Sequence, residues 1–347
     1  MAKKKHKKKS AARRKRPFRI LSLDGGGIRG IITARWLGEL EDQLKTKSLR
    51  DHFDLIAGTS TGSILACAVA SGLSAEEIEK LYKEYGREVF PAPASRRWNR
   101  FTRLIDQGIS APKYDDAGLE RVLRRQFGDM TIGELPDGPL LLVPTYNTLT
   151  REATVIKSNA EKYQKLPLWE LAKASNSAPT FFPAHVVGID GVASPLVDGG
   201  VAANNPTACA IAEAIRVTGE QGKPVKLDDV VVASFGTGSL TRPITIKEAT
   251  EWGAVEWAIP VIDVLMDGAA DTTHYVASKL LKDGNYFRFQ TKLKKGFDDM
   301  DDASETNLNG LLSTADQYLD EGPGQGSKPG KTLIKELVKE LVKELKA

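Results

Sequence analysis

A serine at position 60 stands in Gly58-Thr59-Ser60-Thr61-Gly62, between an apolar run from Phe53 to Ala57 and a small-residue helix start from Ser63 to Ala70. At a sharp strand-to-helix turn a serine projects its hydroxyl clear of the backbone, and glycines two residues to either side let strand and helix approach without side-chain clash. The hydroxyl then lies at a helix N-terminus, where developing negative charge is favoured. These five residues read as a nucleophile elbow with Ser60 as the nucleophile.

A serine nucleophile needs a base and an oxyanion site. His185 and His274 follow the elbow in the chain; the first lies in Phe181-Phe182-Pro183-Ala184-His185 without a loop signature, the second in a helical stretch from Ala269 to Leu281. The stronger candidate is Asp198, in Leu196-Val197-Asp198-Gly199-Gly200-Val201-Ala202-Ala203-Asn204-Asn205-Pro206. A carboxylate at a strand end before two glycines is held by the backbone yet open to a neighbour, although Asp-Gly-Gly also describes an ordinary turn. Asp24-Gly25-Gly26-Gly27-Ile28-Arg29-Gly30 leaves several backbone N–H groups clear of side chains at a helix start, a loop able to hold an oxyanion. Gly25, Gly27 and Gly30 also satisfy G-x-G-x-x-G, so a nucleotide-binding module is a competing reading. Against it, the second strand ends in the elbow where an acid for the ribose is expected, and no Lys-Ser/Thr follows the glycines as in a P-loop. From the residues alone, a Ser-Asp hydrolase, a Ser-His-acid esterase using His274 and a nucleotide binder all stay open.

The three motifs taken in order resemble the patatin-like phospholipase family over roughly residues 18–290. The likeness extends to Ser177-Ala178-Pro179-Thr180-Phe181-Phe182-Pro183 and to Asn204-Asn205-Pro206. The resemblance implies a three-layer α/β/α sandwich with a mostly parallel central sheet. It implies a dyad of Ser60 as nucleophile and Asp198 as base, and an oxyanion hole from Gly25, Gly26 and Gly27. Asp24, Arg29, Gly30, Gly58, Gly62, Gly199 and Gly200 are the motif residues that support them. The implied activity is hydrolysis of acyl esters of membrane phospholipids, with no cofactor. An aspartate of ordinary pKa near 4 is a weak base toward serine, so the dyad must gain from positioning and from the oxyanion loop. Arg29 is expected to orient that loop through a carboxylate contact. Some bacterial members of similar size act in antiviral defence, switched on by a cyclic dinucleotide. This chain resembles them in compactness, and its Arg/Trp-rich residues 96–103 read equally as a contact for phosphates and a base or as a lid or membrane-facing loop.

These residues need elements to position them. Phe18 to Leu23 reads as a strand, residues 25–30 as a loop and Ile31 to Leu44 as an amphipathic helix; the run from Phe53 through the elbow to Ala70 repeats that order, as parallel strands with crossover helices would. Leu140 to Val143 and Val230 to Ser234 are further strand candidates. Helices are expected at Ala75 to Tyr85, Ala117 to Gln126, Leu168 to Ala174 and Ala208 to Val217. Residues 91–113 read as a loop or lid insertion. A hydrolase domain over 17–320 is then followed by a Gly/Pro linker at 321–330 and an amphipathic helix at 331–347, with Leu333, Leu337, Leu341 and Leu345 on one stripe that docks on the body.

The chain has 347 residues, 41% apolar and 27% charged, as in ordinary globular enzymes. Residues 1–16 hold ten Lys/Arg and no acid, so the other 39 basic residues face all 45 acids and the body carries a formal charge of −6. The arm is expected to be disordered, as a solvated extension or a contact for anionic membrane. No apolar run reaches the roughly 18 residues needed to span a bilayer, so the chain is expected to be soluble or peripheral, cytoplasmic and at the inner membrane when active. Cys67 and Cys209 fall in small-residue helical contexts and suit core packing in a reducing compartment. Asp298-Asp299-Met300-Asp301-Asp302 reads as a solvated loop rather than a calcium site, since it lacks a glycine turn and spaced ligands. The oligomeric state, a homo-oligomer included, is left open by the sequence.

Overall fold

A computed structural model of the chain describes residues 16–91, 112–257, 260–294 and 297–344. Within them one eight-stranded sheet is formed by β1 (Phe18–Leu23), β2 (Leu55–Gly58), β3 (Leu140–Asn147), β4 (Glu152–Lys157), β5 (His185–Ile189), β6 (Val192–Asp198), β7 (Val230–Phe235) and β8 (Tyr286–Phe289). The longer helices are α1 (Gly30–Leu44), α2 (Thr61–Ser71), α3 (Ala75–Val89), α4 (Ala117–Phe127), α5 (Leu168–Ser175), α6 (Thr207–Glu220), α7 (Pro260–Leu280), α8 (Glu305–Glu321) and α9 (Gly330–Leu341).

The parallel pairings run through β3, β2, β1, β7 and β8, and β1 is buried at every residue. An uninterrupted apolar run is what a strand covered on both faces requires. Leu21 and Leu23 face a core shared with α1, α2, α5, α8 and α9, whereas Phe18 and Ile20 face a second core with α6 and the end of α7. This is the three-layer sandwich with a mostly parallel sheet that the motifs implied. In register Leu23 stands level with Gly58 and with Phe235, so the strands end together and their following loops share one rim. Ligand-binding loops of open α/β sheets collect at that rim.

The antiparallel part of the sheet places the second motif. Along β3, Leu140 N donates to Asp54 O beside β2 and Thr148 N donates to Pro195 O in β6, while Leu141 O accepts from Ser158 N beside β4 and Asn147 O accepts from Arg151 N. Even-numbered and odd-numbered residues of a strand address opposite edges. β2 and β6 therefore use the same edge of β3 and approach tip to tip, with β4 on the other edge. Pro144, which has no N–H to pair, sits in the gap between them. β6 ends at Asp198, level with Thr145, three residues past Leu142 at the last β2 contact, the level Ser60 would reach if β2 continued in register.

The sequence reading caught β1, β2 and β7 within two residues and stopped β3 four residues short. It did not find β4, β5, β8 or α8, and of β6 it placed only the end at Asp198. The β5–β6 hairpin turns at Asp190-Gly191, both at positive φ (50° and 77°), a pairing that favours a tight two-residue hairpin. The C-terminal helix docks as expected, through Leu337 and Leu341 of the leucine stripe together with Ile334; Leu333 is only half-buried and Leu345 lies outside the described residues. The basic arm at 1–15 and most of the insertion, 92–111, also lie outside them. Cys67 is buried, which pushes its thiol up to about 12, and Cys209 is half-buried; both are free.

Candidate active site

Ser60 occupies the turn between β2 and α2 with φ 53° and ψ −128°, a conformation L-residues rarely adopt. The neighbouring glycines permit it: a Cβ on Gly58 would collide with the Gly62 carbonyl, and one on Gly62 with the carbonyl of Leu23 in β1. Ser60 Oγ donates to Asp198 Oδ2 at 2.7 Å, across 138 positions of chain. Asp198 is fully buried, and its second oxygen, Oδ1, accepts the Gly200 N–H at 2.7 Å. Burial pushes its pKa up to about 7, against the pull of the hydrogen bonds from Ser60 and Gly200. Desolvation of this kind raises a carboxylate's proton affinity toward the range suited to general-base chemistry.

The glycine loop lies over the same point. Gly25 N–H donates to Asn204 O at 3.1 Å, so Gly25 is not available as an oxyanion donor, in correction of the expectation. The N–H groups of Gly26 and Gly27 have no acceptor among the described residues, and Gly27 lines the cavity that holds Ser60 and Asp198. Arg29 is buried, and its Nε donates to Gly26 O at 3.2 Å. It orients the loop through that carbonyl and not through the expected carboxylate contact; Asp267, Asp263, Asp298 and Asp299 act on it from a distance, while burial lowers its pKa. Asp24 is held beneath the loop by Arg288 of β8, Nη2 to Oδ2 at 2.6 Å, with Arg288 Nη1 donating to Ser234 at 3.0 Å. Burial raises the Asp24 pKa and Arg288 opposes the rise.

Among the described residues neither histidine is hydrogen-bonded to Ser60. His274 is exposed on α7 with Nδ1 at 3.2 Å from Tyr286 Oη, and His185 lies on β5 with Nε2 at 3.8 Å from Glu170. The acidic run is solvated in part: Asp299, paired with Arg242, and Asp302, which accepts the Ser304 N–H, are exposed, whereas Asp298 is buried and accepts from Thr241 and the half-buried Asp301 pairs with Lys113. Among the described residues no group of three His, Cys, Asp or Glu could hold a metal ion. Residues 96–103, the candidate nucleotide contact or lid, lie outside them.

The cavity at Ser60 is about 30 Å³ and is closed by Phe181, Phe182, Met266 and Met300. Two spaces adjoin it. An apolar cleft of about 60 Å³ lies between α3 and α4, walled by Ile64, Leu81, Val89, Leu119 and Leu123, and shares Gly27, Phe90 and Asn176 with it. A polar cavity of about 600 Å³, with Arg87, Lys113, Arg242 and Asp263 on its walls, shares Phe181, Met300 and Asp301. Sequence reasoning missed Arg288, Ser175 and Asn176. A Ser-Asn-Ser run after a helix reads as a cap, and a lone arginine in a short strand carries no signal of its partner.

A family profile described as patatin-like phospholipase matches residues 21–211. "Patatin-like protein 2" of rice is 30% identical over 344 residues, spanning 87% of this chain and 84% of that protein. "Patatin-like protein 2" of Arabidopsis thaliana is 31% identical, spanning 86% and 82%. Among solved structures, VipD from Legionella pneumophila is similar with a TM-score of 0.42 and 12% identity, over 90% of this chain and 72% of that one. Among the described residues no helix is long and apolar enough to cross a membrane.

Proposed function

Since the chain belongs to the patatin-like phospholipase family and is a serine-hydrolase-type lipid acyl hydrolase, we propose that Ser60 is its nucleophile and Asp198 its general base. The observation that carries the assignment is the 2.7 Å hydrogen bond from Ser60 Oγ to a fully buried carboxylate whose pKa is raised to about 7. Asp198 takes the Ser60 proton as Oγ attacks the acyl carbonyl. The N–H groups of Gly26 and Gly27 take the charge on the carbonyl oxygen, and one such donor is worth roughly 3–4 kcal/mol. The protonated Asp198 returns its proton to the leaving alcohol, and a water activated by the same carboxylate releases the fatty acid.

The apolar cleft between α3 and α4 suits the acyl chain and the polar cavity suits a phospholipid headgroup, since both adjoin the cavity that holds Ser60. The protein acts at a membrane surface. α7 supports this reading, since it turns Met266 toward Ser60 and exposes Val261, Val264, Leu265 and Tyr275 on its opposite face. The basic arm adds attraction to anionic lipid, about 1 kcal/mol for each basic residue near the surface. A cyclic-dinucleotide switch in antiviral defence belongs to the same proposal and is supported by the likeness in compactness alone.

Fatty-acid release from mixed phospholipid vesicles, compared among wild type, Ser60→Ala and Asp198→Asn, tests the dyad. Release by either variant at a tenth or more of the wild-type rate would refute it. The same assay with a panel of cyclic dinucleotides removes the switch if no nucleotide changes the rate.

A further inference from the structure

We propose that Ser175 and Asn176, at the end of α5, are positioning residues that hold the Ser60 backbone in its reactive turn and register it against Asp198, an inference that rests on the dyad assignment above. Three consecutive residues reach both partners. Ser175 Oγ accepts the Ser60 N–H at 3.0 Å and donates to Pro144 O at 2.9 Å. Asn176 Nδ2 donates to Ser60 O at 2.8 Å, and lies within reach of Ser63 Oγ at 3.2 Å and Ala172 O at 2.8 Å. Ser177 O accepts the Asp198 N–H at 3.0 Å. The backbone N–H and C=O of the nucleophile are thus both clamped by side chains of one segment, and the backbone of the base is fixed by the next residue.

The arrangement has a physical reason. A serine at φ 53° is strained and persists only where its surroundings over-determine it. The N–H of Ser60 precedes α2 and has no helical acceptor, so without Ser175 it would be a buried donor lacking a partner. Pro144, which receives the Ser175 proton, sits in β3 at the gap where the tips of β2 and β6 meet, so a single hydroxyl links the elbow to the strand that sets the position of Asp198. α5 is itself pinned at its far side by buried Lys173, which pairs with Asp116 at 2.7 Å and Glu120 at 2.6 Å.

Removing the clamp lets the elbow relax and lengthens the Ser60–Asp198 bond. A misplacement of about 1 Å costs on the order of a hundredfold in rate. The hydrogen bond from Ser60 holds the Asp198 pKa down, so its loss moves the acid limb of the pH–rate profile above that of wild type. The test is steady-state hydrolysis of a soluble short-chain ester by Ser175→Ala, Ser175→Thr, Asn176→Asp, Ser60→Ala and Asp198→Asn, each over pH 5–9. Asn176→Asp keeps the shape but replaces the donor facing Ser60 O with an acceptor, so it informs even if Ser175→Ala folds poorly.

The result expected is a ten- to hundredfold fall in kcat for Ser175→Ala and Asn176→Asp. KM stays within threefold, the acid limb moves upward, and most of kcat is recovered by Ser175→Thr, which keeps the hydroxyl. With Ser60→Ala and Asp198→Asn inactive, unchanged kcat in the two clamp variants would overturn the inference, as would a fall in kcat with the acid limb in place. Activity in Ser60→Ala or Asp198→Asn would instead overturn the dyad, and the inference with it.

Discussion

Replacing Asp198 by Asn should abolish turnover and at the same time stabilise the fold. The carboxyl is fully buried, and its pKa is raised from 3.8 to about 7 because burial outweighs the hydrogen bonds from Ser60 and Gly200. Each unit corresponds to about 1.4 kcal/mol, so the shift of about three units represents roughly 4 kcal/mol by which ionisation favours the unfolded chain at neutral pH. The unfolded chain releases this proton above about pH 4, whereas the folded chain keeps it until about 7. The stability contributed by this group is therefore full below pH 4, falls through the window from 4 to 7 and is lost above it. Asn is uncharged throughout; its Oδ1 can keep the bond from Gly200 N–H, and its Nδ2 can donate to Ser60 Oγ. Asp198→Asn should exceed wild type by about 2 kcal/mol at pH 5 and by about 4 kcal/mol at pH 8. Urea denaturation followed by tryptophan fluorescence at the two pH values measures both differences. A stability gap that is the same at pH 5 and pH 8, or a variant less stable than wild type at pH 8, would refute the reasoning.

Arg288→Met leaves Asp24 buried without the counter-ion that now stands at 2.6 Å. Breaking such a pair should cost about 3–5 kcal/mol, and Asp24→Asn combined with Arg288→Met should recover most of it; equal loss in single and double variants by thermal denaturation would count against the pairing. Gly27→Ala forces a side chain at φ 59° against the carbonyl of Met300. The loop must then shift, and kcat should fall about a hundredfold or more, so a kcat within threefold of wild type would remove Gly27 from the oxyanion site. Val264→Glu with Leu265→Glu places charge on the exposed face of α7. Binding in a vesicle sedimentation assay should weaken on the order of tenfold while hydrolysis of a soluble short-chain ester is kept; equal loss of both would point to damage at the site instead.

What the sequence determined by itself is local. Gly58 and Gly62 around Ser60 dictate a tight strand-to-helix turn because any side chain there would strike backbone, and Asp24 to Gly30 dictate a loop with exposed amides. The apolar run of β1 likewise announces a strand buried on both faces. Tertiary structure decided what these features meet. Asp198 reaches Ser60 across 138 residues only because β6 runs antiparallel into the gap that β2 leaves on one edge of β3, and its proton affinity is a property of the surrounding core rather than of an Asp-Gly-Gly string. β4 is exposed or half-buried along most of its length and β8 spans only four residues, so their pairing partners define them more than their own composition. The choice among three adjacent glycines was also not local: Gly25 N–H is taken by Asn204, some 180 positions on, while Gly26 and Gly27 keep theirs without an acceptor among the described residues and Gly27 lines the cavity. Motifs fix backbone shapes within a few residues, while pKa, donor availability and the register of the two halves of the site follow from contacts that exist only once the chain has folded.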